Sequence, residues 1–259
     1  MAETPKDLQA IANDAFKATS SFGMIINVSK TKTMCCSRKP QDTVKPDLKI
    51  NGESIQWVDE FPYLGSLITS DNSPSKDIKR RLALASSSFK ALMPIWRSKH
   101  LSLWLKTRLF DTLIIPIAIY SCETWTLKVN DNRRLAAFET KCLRRIGGIT
   151  YLDRISNVEL LERLKVQQTI LMKIQLQQLR WLGHVQRMSR SRLPKITFEG
   201  QIHGSRPRGR PPKRWKENFA PHRLSDLLRL AKDREAYRRH IHAVTKKEAP
   251  RRPSGTDGT

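Results

Sequence analysis

The chain has 259 residues, and its 48 Lys plus Arg against 24 Asp plus Glu leave a formal net charge of +24. An excess of that size repels itself unless a polyanion neutralises it, which makes nucleic acid the expected partner. An anionic membrane is the competing polyanion, but the longest apolar run, Leu113 to Tyr120, is too short to span a bilayer; with no visible signal peptide, a soluble intracellular protein, nuclear or cytoplasmic and not secreted, is expected.

The 39% hydrophobic content is enough for a modest core, in one large domain or two small ones. Residues 6–20 set Leu8, Ile11, Ala12, Ala15 and Phe16 at helical spacing, and Gly23 supplies a stop. Met24 to Val28 and Thr33 to Ser37 are short β-type runs around Ser29-Lys30-Thr31-Lys32. Leu48 to Ile50, the Asn51-Gly52 turn and Ser54 to Val58 predict a hairpin, and Phe61 to Thr69 adds a strand.

From residue 75 onward the pattern turns helical. Ile78, Leu82, Ala85, Phe89, Leu92 and Trp96 share one face, while Lys76, Arg80, Ser87 and Lys90 fall on the opposite one. Further helices are predicted at 102–119, at 131–146 with Asp131 as N-cap and Gly147-Gly148 as stop, at 156–164 and at 167–188. The last carries Ile170, Ile174, Gln177, Trp181, Val185 and Met188 in one register. Residues 189–222 hold Pro194, Gly200, Gly204, Pro207, Gly209, Pro211 and Pro212 and read as an extended basic linker. A helix at 223–246 and a disordered tail at 247–259 complete the chain. The fold class is α+β, predominantly α.

Four cysteines in such a length do not make a disulfide framework, and all four are expected reduced. Cys122, Cys142 and His184 lack the spacing of a metal site, and no metal-binding residues are assigned. The segment Arg206-Pro-Arg208-Gly-Arg210-Pro-Pro-Lys213-Arg214-Trp215 is the strongest intrinsic signal for nucleic acid. Its Arg-Gly-Arg-Pro core matches an AT-hook, which lies in a narrow A·T minor groove. General phosphate contact, nuclear localisation and a plain basic linker are the other readings of the same run. The basic face of helix 75–96, with Lys76, Arg80 and Lys90, could meet phosphates or simply be solvated, and Arg133, Arg134, Lys141, Arg144 and Arg145 share that ambiguity.

Gly23 to Met34, with Asn27-Val-Ser-Lys30-Thr31 inside it, and Phe61 to Thr69, with Tyr63-Leu64-Gly65, resemble the last two palm motifs of a non-LTR, RTE-like retrotransposon reverse transcriptase. Tyr120 to Thr126, Arg180 to Arg187, Arg208 to Trp215 and Asp233-Arg234 extend the resemblance in the same order along the chain. It implies the end of a palm at 1–72, a thumb-like helical bundle at 73–188, and a basic tail. It also implies an auxiliary role for Lys30 near nucleotide phosphates, although a solvated lysine in a turn is the plainer alternative. Tyr63, Leu64 and Gly65 would form the primer grip, with Gly65 letting backbone approach the primer end.

Such polymerases hold Mg2+ with an Asp-Asp pair that lies upstream of these motifs, and no adjacent Asp-Asp occurs in this sequence. The chain is therefore expected to bind an RNA or DNA template-primer duplex without adding nucleotides and without a cofactor of its own. The alternatives are a domesticated, non-catalytic DNA- or RNA-binding module and a translated remnant without function.

Overall fold

The computed structural model describes residues 2–36, 45–200, 213–219 and 222–248, with backbone only for 245–248. The fold is α+β and predominantly helical, as the sequence predicts. Two compact units divide it, one running to Asp77 and the other starting at Ile78.

In the first unit, helix α1 (Pro5–Ser21) begins where the Thr4 hydroxyl accepts from the Asp7 amide, and Pro5 sits in the first turn, where a missing donor costs nothing. Its Leu8, Ala12 and Phe16 lean on a small cluster of buried Leu48, Ile50 and Ile55. The Gln9 amide fixes this contact, donating to the Lys49 carbonyl at 2.7 Å and accepting from the Lys49 amide at 2.9 Å. The described strands are β1 (Lys32–Thr33), β2 (Lys49–Ile50), β3 (Glu53–Ser54), β4 (Gln56–Trp57), β5 (Glu60–Tyr63) and β6 (Ser66–Thr69). They form three two-stranded ladders: β1 parallel to β4, and the antiparallel pairs β2 with β3 and β5 with β6.

The hairpin at Asn51-Gly52 is present, with both residues at positive φ (52° and 81°) as a type I′ turn demands. The run Met24 to Val28, expected to be a strand, is not one, and Ile25 stands 93% exposed. An apolar run becomes a strand only when a second segment supplies hydrogen-bond partners, which local pattern cannot reveal. Of the run from Thr33 to Ser37, only Thr33 joins a ladder among the described residues.

The second unit is a stack of helices: α2 (Ser75–Ala91, its first turn in the first unit), α3 (Met93–Arg97), α4 (Leu103–Leu109), α5 (Ile115–Ala118), α6 (Val129–Gly147), α7 (Asn157–Arg163), α8 (Ile170–Arg187), α9 (Leu193–Glu199), α10 (Leu224–Leu230) and α11 (Arg234–Glu248). The predicted stripe on α2 is the buried one, since Ile78, Ala85, Phe89 and Trp96 enter the main core and Leu82 and Leu92 pack against it. Phe89 stacks on Trp96 with centroids 5.0 Å apart, and Phe110 meets Phe89 edge-on at 6.0 Å.

Several helices have bounds other than expected, for identifiable reasons. Pro94 starts a new helix at Met93, so the helix expected over 75–96 breaks at Leu92. The helix expected at 102–119 passes through a π-turn at Phe110–Ile114 just before Pro116 and ends at Ala118. Helix α6 starts at Val129, two residues before the expected cap, and Asp131 caps from within the first turn by accepting from the Lys128 amide at 3.3 Å. It stops at Gly148 with φ 65°, as Gly147-Gly148 predicts. The C-terminal helix is two helices, because the Asp233 carboxylate caps α11 by accepting from the Glu235 and Ala236 amides at 2.9 and 3.1 Å.

Helix α8 is buried on more than the single predicted face. Ile170 and Ile174 belong to the main core, whereas Leu176, Leu179 and Leu182 belong to a second cluster with Phe219, Leu227, Ala231, Tyr237 and Ile241. Gly183 makes the second cluster possible, since a Cβ there would lie 2.4 Å from the Tyr237 ring. That ring is held in turn by its hydroxyl, which donates to the Leu179 carbonyl at 2.9 Å.

Glu139 is a buried carboxylate on α6 whose Oε1 accepts from the Ile170 amide at 2.7 Å, at the start of α8. Burial pushes its pKa up to about 7; the Ile170 hydrogen bond and Lys173 oppose the shift, and Asp111 adds to it. A raised carboxylate pKa means the folded state holds the proton more tightly. The stability Glu139 contributes is therefore full below about pH 4.5 and declines towards pH 7, by up to about 3 kcal/mol. In Glu139→Gln this decline should vanish, so urea unfolding at pH 5 and pH 8 should show a smaller fall than in the wild type; identical falls in both would refute it.

Among the described residues the first unit's cluster holds three buried aliphatic side chains, and its ladders have open edges, against the two larger clusters of the second unit. Amide exchange should therefore be fast across 24–36 and 45–69 and slow in α6 and α8. Equal protection in the two units would contradict this.

Candidate nucleic-acid interface

The motif residues expected in a polymerase site lie in the first unit. Asn27 organises its own turn: its carboxamide oxygen accepts from the Ser29 hydroxyl at 2.7 Å and the Lys30 amide at 3.0 Å, and its carbonyl accepts from the Thr31 hydroxyl at 2.8 Å. Lys30 is exposed on that turn. Tyr63-Leu64-Gly65 closes the β5–β6 hairpin, with Leu64 and Gly65 at φ 46° and 83°. Glycine suits the second turn position; leucine at the first is strained, and both Tyr63 and Leu64 face solvent. The hairpin is anchored by the buried Asp77 carboxylate, which accepts from the Leu67 amide at 2.9 Å and the Ser66 hydroxyl at 3.1 Å.

The expected basic face of α2 divides. Lys76 is exposed but forms an ion pair with Glu60, whose hydrogen bond and charge raise the lysine pKa. Arg80 is half-buried, and Lys90 is exposed, as is Lys79, which the face reading did not include. Arg81, buried on the core side three residues after Ile78, lies 4.2 Å above the Tyr120 ring. The i, i+3 spacing places it there, although apolar periodicity gives no signal for an arginine.

Arg206, Arg208 and Arg210 lie outside the described residues. The run that follows does not behave as a linker. Lys213 donates to the Leu127 carbonyl at 3.1 Å, Arg214 is exposed, and Trp215 donates its indole N–H to the Glu123 carbonyl at 2.8 Å. The Trp215 ring meets Phe219 at 4.9 Å and Phe198 at 6.1 Å, and Lys216 lies over Phe198 at 4.5 Å. Trp215, expected to touch nucleic acid, is thus a half-buried anchor of the second cluster. Part of the expected linker is also helical, because Pro194 occupies the start of α9, where proline is tolerated, and Lys195 is buried against the Gln186 carbonyl at 2.9 Å.

The motifs at 120–126 and 180–187 have structural explanations. Cys122 and Trp125 are buried, and the Gln178 amide donates to both of their carbonyls at 2.9 Å. Arg187 donates to the Ala231 carbonyl at 2.9 Å, joining α8 to the end of α10. Cys122 and Cys142 are free, buried thiols, and burial pushes the Cys142 thiol up to about 12. Among the described residues no group of three or more His, Cys, Asp or Glu side chains is placed to hold a metal ion, and no helix is long and apolar enough to cross a membrane. The Mg2+ implied by the polymerase resemblance does not fit this donor set, since two-metal chemistry needs clustered carboxylates.

No family model matches the chain, and no solved structure does. The chain is similar to a transposon-derived protein of Caenorhabditis elegans, 25% identical over 223 residues that cover 85% of this chain and 80% of that protein.

The position of Trp215 yields a test. Trp215→Ala should lower stability by about 2 kcal/mol or more, and Trp215→Phe by about 1 kcal/mol, through lost packing and the lost bond to Glu123. Urea titration measures both. An alanine variant of unchanged stability that binds nucleic acid less tightly would return Trp215 to the interface.

Proposed function

We propose that the chain is the C-terminal part of a non-LTR retrotransposon reverse transcriptase, comprising the end of the palm, a helical thumb and a basic tail, and that it binds template-primer duplexes without adding nucleotides. The observation that carries nucleic-acid binding is the +24 charge, with Lys79, Lys90, Arg133, Lys141, Arg145 and Arg214 exposed on the second unit. The likeness to a transposon-derived protein over 85% of the chain supports the origin. The ordered motifs from Gly23 to Arg234 support the polymerase family within that origin. The reading without catalysis rests on the missing Asp-Asp pair.

Binding of this kind is dominated by counterion release. If roughly five cations neutralise phosphates, log affinity for B-DNA should fall against log salt with a slope of about −4 to −5. Replacing Arg208, Arg210, Lys213 and Arg214 by Ala should flatten the slope by about three to four, and Lys90→Ala by about one. An unchanged slope would place the surface elsewhere, and an absence of duplex binding at low salt would sink the reading. Loss of a strong A·T preference with Arg208 and Arg210 would favour the domesticated AT-hook module instead. Primer extension with Mg2+ or Mn2+ should give no product, and template-directed product from the purified chain would overturn the non-catalytic assignment.

A further inference from the structure

We infer that the C-terminal end of α6 and the turn after it form a binding site for single-stranded nucleic acid, in which Tyr151 stacks on an unpaired base and Lys141 and Arg145 hold the adjoining phosphates. This rests on the nucleic-acid reading above and narrows it to a surface and a strand state.

A shallow groove is lined by Lys141, Arg144, Arg145, Gly148 and Thr150. Lys141 and Arg145 are four residues apart on the exposed face of α6, on the same row as Arg133, so the three cations line one side of the helix. Arg144 is fixed between them and the next helix, donating to the Ile155 carbonyl at 2.7 Å and to Asn157 Oδ1 at 3.0 Å. The groove is therefore rigid at its base and cationic along its rim.

Cations in the last turn of a helix also complement its dipole, which accounts for Arg144 and Arg145 without any ligand. It does not account for Lys141, and still less for the exposed aromatic that follows Thr150, the last residue of the groove's lining. Tyr151 is 89% exposed and Leu152 77% exposed. They sit on a single 3-10 turn, Tyr151–Asp153, that is locked in shape: the Asp153 carboxylate accepts from the Thr150 amide at 2.6 Å and the Thr150 hydroxyl at 2.7 Å. Those two bonds hold the Asp153 carboxyl below the usual range, so its charge is spent on the turn. A tyrosine held in solvent by a capped turn, directly after Thr150 of a cation-lined groove, is the arrangement of a stacking platform.

The occupant follows from geometry. Bases inside a duplex have their faces covered by neighbours, whereas a single strand can offer a free face to one exposed ring. Phosphate contact alone would suit duplex and single strand alike; the aromatic selects the latter.

Fluorescence anisotropy with the full chain tests this using labelled oligo(dT), oligo(U), an abasic strand of the same length and a blunt-ended two-strand duplex. Tyr151→Ala should weaken oligo(dT) or oligo(U) binding by about 5- to 100-fold, with Tyr151→Phe close to wild type; the two arms tell DNA from RNA. The same change should leave the abasic strand and the duplex unaffected. Lys141→Ala with Arg145→Ala should flatten the single-strand salt slope by about 1.4 units. Equal loss on normal and abasic strands, or no loss on either, overturns the site while leaving duplex binding intact. Failure of the wild type to bind any of the four probes overturns both this site and the function proposed above. Circular dichroism melting of each variant excludes misfolding, which the exposure of Tyr151 makes the less expected cause.

Discussion

The second unit depends on how two buried carbonyls are satisfied. After α5 the chain turns sharply at Ser121, which takes φ 64°, and buries Cys122 and Trp125 against α8. A carbonyl buried there without a donor would cost about 1 to 3 kcal/mol, and the Gln178 amide supplies a donor to each. Asn218 donates to the Trp125 carbonyl as well, at 2.8 Å, while Trp215 and Lys213 take the carbonyls of Glu123 and Leu127. One turn of irregular chain thus joins the central helix to a segment more than ninety residues later. Both hydrophobic clusters meet at α8, so a loss at Gln178 would be felt in each.

The same economy governs the charge. A chain at +24 must dispose of cations it cannot leave adjacent. Some are spent inside the fold, Arg81 over Tyr120 and Lys195 on the Gln186 carbonyl with Glu199 at 2.9 Å, and Lys173 pairs with Asp111 at 2.6 Å at the surface. Others answer carbonyls at helix ends, as Arg187 does at Ala231. What remains on the outer face of α6 is different in kind, because Lys141 and Arg145 lie on an exposed row beside an exposed ring. Sorting cations by what they already hold identifies a surface that counting them does not.

Legibility in the sequence followed the range of the interaction. The α2 stripe could be read because its burial repeats every three or four residues, and the Asn51-Gly52 hairpin because its backbone angles are dictated locally. The break at Leu92 was legible in Pro94, and the cap of α11 in Asp233, but a continuous apolar pattern on either side concealed both. An aromatic in a basic run has two chemical uses, and the structural one at Trp215, a bond to the Glu123 carbonyl ninety-two residues away, leaves no local signal. The failed strand at Met24 to Val28 is the same case reversed, a local pattern whose partner is not among the described residues.

This bears on what the resemblance can carry. The segments 120–126 and 180–187 are tied to one stretch of α8: Gln177, ahead of the second segment, accepts from the Cys122 thiol at 2.9 Å, Gln178 donates to the Cys122 and Trp125 carbonyls, and Gly183, five residues further on, admits Tyr237. The types of Cys122, Trp125, Leu182, Gly183 and Val185 are set by packing, so a match at those positions speaks for a shared helical fold and says little about chemistry. Lys30 and Tyr63 to Gly65 are the reverse, exposed residues on tight turns whose identities packing does not dictate. The exposed turn residues whose identities packing leaves open therefore sit in the first unit, the one with the smaller core, while the exposed cations of α6 and the ring of Tyr151 stand on the well-packed helices of the second.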